Sequence, residues 1–131
     1  MEKLFTKTPI ILATIMTVFT YLFGDVDKLF IALVVFIGLD IATGFLKAII
    51  TKTLNSEISY KGFCKKVFIF VLVAVAYWSQ GLISIDLPIR NIVICFYIAN
   101  EGISILENSA EFIPIPEKLK DVLIQLRDKG E

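Results

Sequence analysis

Two carboxylates stand where carboxylates are expensive. Asp40 lies near the middle of an apolar run from Leu29 to Ile50, and Glu101 lies in another from Asn91 to Leu106. An ionisable side chain at the centre of a bilayer costs roughly 2.5–3.5 kcal/mol on insertion scales, so such a residue must face protein or water. The chemistry open to the pair is narrow. Intramembrane proteolysis needs two aspartates close enough to share a proton. Gly38-Leu39-Asp40 has a superficial likeness to such a site, but a single membrane aspartate does not supply the pair. The chain has no histidine, the commonest general base and metal ligand. Its two cysteines, Cys64 and Cys95, lie far apart without zinc-type spacing and read as free thiols. These residues call for no cofactor or metal, and they point away from an enzyme.

The neighbours of the two acids are informative. On a helix, steps of three and four residues return to the same side, so Asp40, Gly44, Lys47 and Thr51 share a face. Gly38 with Ala42, and Gly44 with Ala48, have the small-residue spacing that lets membrane helices approach closely. Asn100, Ser104, Glu107 and Glu111 form one polar row in the later run, and Tyr97, Glu101, Ser104 and Asn108 form another. Three roles fit Asp40, Gly44, Lys47, Asn100, Glu101 and Ser104: a packing seam within one molecule, an oligomer contact or pore lining, and a proton relay. Tyr77 and Trp78 read as packing or interfacial aromatics.

The elements that must position these side chains follow from composition. The chain has 131 residues, 56% hydrophobic and 20% charged, with 13 basic and 13 acidic side chains. That is too apolar for a single small soluble domain, which has too much surface to hide it. Four blocks carry the apolar residues, at 8–23, 29–50, 67–85 and 91–106. They predict an all-α, polytopic membrane protein with a transmembrane domain over residues 1–113. The first block spans only about 24 Å as a helix against a hydrocarbon core of about 30 Å, so three spanning helices are the alternative to four. It lacks a small-residue cleavage site after Phe23, which favours an uncleaved helix over a signal peptide.

Ten of the 13 Lys and Arg residues fall before the first block, between the second and third, or after the fourth, and Lys47, just inside the end of the second block, makes eleven on that side. Lys52, Lys61, Lys65 and Lys66 form the basic loop among these. Only Lys28 and Arg90 occupy the other two turns. By the positive-inside rule both termini of this multi-pass chain are expected in the cytoplasm. Residues 114–131 read as a separate amphipathic helix and tail on the cytoplasmic side. Pro116 and Glu117 suit a helix start, and Leu119, Val122, Leu123 and Leu126 form an apolar stripe. With four basic and six acidic residues from Glu107 onward, this helix is expected to dock on protein, such as a neighbouring subunit, more than on lipid. No basic face offers a nucleic-acid site.

Several segments together resemble the bacteriophage holin family, which also includes clostridial toxin-secretion holins. Leu39-Asp40-Ile41-Ala42-Thr43-Gly44 followed by Lys47-Ala48-Ile49 resembles its D-x-x-T-G segment. Lys61-Gly62 with Lys65-Lys66, and Arg90-Asn91 leading into the run from Phe96 to Asn108, are similar too. Pro114-Ile115-Pro116-Glu117-Lys118-Leu119-Lys120 looks like the family's ending. The likeness covers about residues 38–128. It implies a small membrane protein that assembles with copies of itself and opens lesions, through which an endolysin or a large toxin passes without specific binding. The alternatives are a small proton-coupled exporter and a non-transporting membrane anchor or partner protein. An exporter of that kind usually carries its titratable carboxylate in the first helix, and the first apolar block here has none.

Overall fold

The computed structural model describes residues 1–130 as five helices. They are α1 (Glu2–Phe23), α2 (Lys28–Ile50), α3 (Ser56–Leu82), α4 (Ile89–Ser109) and α5 (Glu117–Gly130). The fold is all-α, and α1 to α4 are each long and apolar enough to cross a membrane.

Local chemistry sets the helix starts. Asp27 caps α2 by accepting the Phe30 N–H at 2.9 Å, and Asn55 caps α3 by accepting the Glu57 N–H at 2.9 Å. Pro88 precedes α4 and Pro116 precedes α5, where a missing N–H costs nothing. In α1 the hydroxyls of Thr6, Thr8, Thr14 and Thr17 each donate to the carbonyl four residues back. That satisfies them internally and lets threonine sit on an otherwise apolar surface.

α4 is the centre of the bundle. It packs against α2, α3 and α5, whereas α1 touches mainly the far end of α3. The core is a cluster of Phe30, Leu33 and Ile37 from α2, Ile69 and Val73 from α3, and Ile94 from α4. α1 buries no residue and is held by rings near its end: Phe23 meets Phe30 and Phe70, and Tyr21 meets Trp78 edge-on.

Three expectations change. First, α3 begins at Ser56, eleven residues before the apolar block, so Lys61, Lys65 and Lys66 are helical. Only Lys52 remains in the connection, at a positive φ of 55°. Lysine is a good helix former, so the polar stretch continues the helix that Asn55 starts. Second, α1 extends back to Glu2, which gives 22 residues, about 33 Å at 1.5 Å per residue. Third, α5 docks on α4 of its own chain rather than awaiting a neighbour. Only Leu123 of its predicted stripe turns inward, beside half-buried Ile124 and Arg127. Leu119, Val122 and Leu126 stay exposed.

Candidate functional site

Asp40 and Glu101 sit twelve residues into α2 and α4, so both arrive at the same depth, halfway along their helices. They are almost fully buried, at 7% and 3% exposure. Between them comes Lys66 from α3, whose Nζ donates to Asp40 Oδ2 and to Glu101 Oε2. The second oxygen of Asp40 accepts from Asn108 Nδ2 at 3.1 Å, and the same amide donates to Thr43 Oγ1 at 3.1 Å. Thr43 in turn donates to the Leu39 carbonyl at 2.8 Å. Gly44 lies beside this pair: a Cβ there would be in ordinary van der Waals contact with Asn108 Nδ2, at 3.5 Å. Among the described residues no buried side-chain polar atom lacks a partner.

The cluster therefore joins three helices through one ammonium and two carboxylates. Fully ionised it carries one net negative charge. Its physical effect is to make α2, α3 and α4 mutually dependent, because removing Lys66 strands two like charges in a low-dielectric interior.

The other predicted residues lie around it. Asn100 is exposed and Ser104 half-buried, both on a groove of about 460 Å³ between α3 and α4 that also reaches Lys65, Lys66 and Glu101. Lys47 is half-buried on α2 and makes no ion pair among the described residues. Gly38 faces open space, so its pairing with Ala42 forms no contact within the molecule. Cys64 and Cys95 are free.

A second polar centre braces the opposite end of the bundle. Arg90 is buried, and its guanidinium donates to the carbonyls of Phe23 (2.5 Å) and Asp25 (2.6 Å) and to Asp27 Oδ2 (3.1 Å). The Arg90 N–H donates to Gln80 Oε1 at 3.1 Å. One residue thus ties the ends of α1 and α3 to the starts of α2 and α4. Gly24 sits against it at φ 81°, where a Cβ would come within 2.8 Å of the Tyr77 ring. Partial burial pushes the Asp27 carboxyl up, but the Phe30 N–H and the Arg90 guanidinium outweigh it and hold it below its ordinary value of 3.8.

Lys66, Asn108, Thr43 and Arg90 are the partners that sequence reasoning did not assign. Asn108 was on the Glu101 row, and the need of two buried acids for a cation was a signal for Lys66 that the loop assignment hid.

These features define a small helical membrane protein whose spanning segments are cross-braced by ionic and amide side chains at mid-helix depth. The chain belongs to the bacteriophage holin family, whose model matches residues 17–128. It is 38% identical to a probable holin of Bacillus phage phi105 over 104 residues, covering 79% of this chain and 76% of that one. It is 46% identical to a 14.9 kDa protein of Clostridium perfringens over 115 residues, 86% and 87% of the two chains. A Listeria innocua protein is 42% identical over 108 residues, 82% of this chain and 77% of its own. No solved structure matches the chain.

Proposed function

We propose that this protein is a holin in action as well as in family: it accumulates in the bacterial cytoplasmic membrane, assembles with copies of itself, and opens lesions that release an endolysin or a large toxin. Family membership together with the phage relative carries this reading. Four membrane-length helices support it, as does the lysine distribution, which favours the cytoplasmic side for the N-terminus, the α2–α3 connection and the end of α4. The partners are then the lipid bilayer, other copies of the chain, and a cargo that passes without being recognised. Asp40, Lys66 and Glu101 brace each subunit, while Asn100, Ser104 and Lys65 are left on a surface that a second copy can meet.

The test is release from lipid vesicles loaded with fluorescent dextrans of graded size. A holin passes large solutes abruptly after a delay. Release of small solutes alone, steadily and only under a pH gradient, would instead mark an exporter, and no release at any protein density an anchor.

A further inference from the structure

The position of α5 is at odds with its composition. The chain reverses between Ser109 and Glu117, and α5 folds back along α4 as the second arm of a helical hairpin. Leu123 packs directly over Gly102: a Cβ at Gly102 would lie 3.0 Å from Leu123 Cδ1 and 3.2 Å from the Phe36 ring. Gly102 is twelve residues beyond Arg90, about 18 Å along the helix, so it lies well inside a hydrocarbon layer of about 30 Å measured from the Arg90 end. Phe45, Leu46, Ile49 and Ile50 of α2 are all exposed beyond the level of Asp40, which supports a layer extending past that level, with the exposed Lys61 and Lys65 of α3 reaching its edge by their long side chains. A cytoplasmic boundary drawn at Asp40 would put all four in water.

α5 therefore sits at membrane depth, yet it carries Glu117, Asp121, Gln125 and Asp128 at helical spacing on one row, all exposed. Its three sides have different fates. Leu123, Ile124 and Arg127 turn to α4. Leu119, Val122 and Leu126 are exposed and apolar, fit for lipid or a neighbouring copy. The row through Asp121 and Gln125 is exposed, flanked by the exposed Lys118 and Lys129, and among the described residues its one ion pair is a neighbouring Arg127–Asp128 contact of 3.7 Å. Charged groups at that depth must reach water or protein.

We infer that α5 is a re-entrant helix whose Asp121–Gln125 row faces water at membrane depth and lines the conduit of the assembled protein. This deepens the pore reading and rests on it for the word conduit; the depth of α5 and the wetness of its row do not depend on it.

The experiment uses the full chain with Cys64→Ser and Cys95→Ser, carrying one added substitution: Asp121→Cys, Gln125→Cys, Val122→Cys or Leu126→Cys. Each is reconstituted in vesicles of phosphatidylethanolamine and phosphatidylglycerol loaded with a fluorescent dye. A thiol reacts as the thiolate, which needs water, so a charged methanethiosulfonate should modify the two row positions on the order of tenfold faster than the two apolar ones. It should also slow dye release at the row positions alone. A nitroxide placed at Val122 should report hydrocarbon depth by collision with oxygen over a water-soluble nickel chelate. A Val122 nitroxide at headgroup level overturns the re-entrant placement, and so do equal modification rates around the helix. Fast row modification with unchanged dye release overturns the lining role. Absence of any dye release from the parent sinks the pore reading instead, and the nitroxide and modification rates still decide where α5 lies.

Discussion

Lys66 stands between two acids that the amino-acid sequence separates from it by 26 and 35 positions. The carboxylates themselves were legible, because a charge inside an apolar run is costly wherever it occurs. Their partner was not, because pairing over such separations is decided by which helices touch and at what height. Breaking a buried ion cluster by removing one member typically costs about 3–5 kcal/mol, whereas replacing all members with neutral groups of similar shape is often neutral. Lys66→Met is therefore expected to destabilise the detergent-solubilised protein by about that amount, read from chemical unfolding. Combining it with Asp40→Asn and Glu101→Gln should restore most of the loss; a triple variant as unstable as Lys66→Met would show that charge is not what the cluster contributes. The Arg90 centre gives a pH-dependent counterpart. Asp27 is held below 3.8 when folded, so its contribution is present above the unfolded value and lost as pH falls through the lower folded one. Asp27→Asn keeps the helix cap but loses the charge. Its stability deficit should be visible at pH 6 and close as the pH is taken below 3.8, in parallel melts of parent and variant.

At the scale of elements, apolar blocks located the helices but marked a different thing from their ends. The block at 29–50 and α2 nearly coincide because Asp27 caps the helix where the apolar residues begin. In α3 the two diverge: the apolar block reports what meets hydrocarbon, while the helix starts about three turns earlier at a polar cap. Docking of α5 on α4 was also hidden, since an amphipathic stripe says that a face is covered and not by what. Glycine positions test these junctions. Gly24 needs its positive φ in the turn under Arg90 and has no space for a side chain, so Gly24→Ala should cost about 1–3 kcal/mol. Gly62 lies within α3 with open space around it, and Gly62→Ala should stabilise by up to about 1 kcal/mol through helix propensity. Opposite signs for the two substitutions in thermal melts are the expected outcome. A harmless Gly24→Ala would mean that the α1–α2 turn is not fixed by Arg90 and Tyr77.

For the whole molecule, the net charge of zero hides an uneven placement: basic residues crowd one end, a braced cluster of two carboxyls and one lysine lies midway, and a buried arginine closes the other end. Among the described residues every buried side-chain polar atom is satisfied, so the folded monomer has little internal reason to associate. What remains unsatisfied lies outside. α1 buries none of its residues, and Asn100 stands exposed near the midpoint of α4 on the α3–α4 groove. An amide carries both donors and an acceptor, so in lipid it is best satisfied by a polar group on a second copy, including the same amide across a twofold. Hydrogen bonds of this kind between membrane helices contribute roughly 0.6–2 kcal/mol. Asn100→Leu should therefore weaken self-association in vesicles by roughly 3- to 30-fold, measured by energy transfer between labelled copies as protein is diluted into lipid. Asn100→Gln keeps the amide and should retain most of the association. Asp40 and Glu101 are already paired within each subunit, so the parent and Asn100→Leu should unfold alike. If Asn100→Leu associates as strongly as the parent, the α3–α4 groove is not where copies meet, and the exposed apolar sides of α1 and α5 become the surfaces to test.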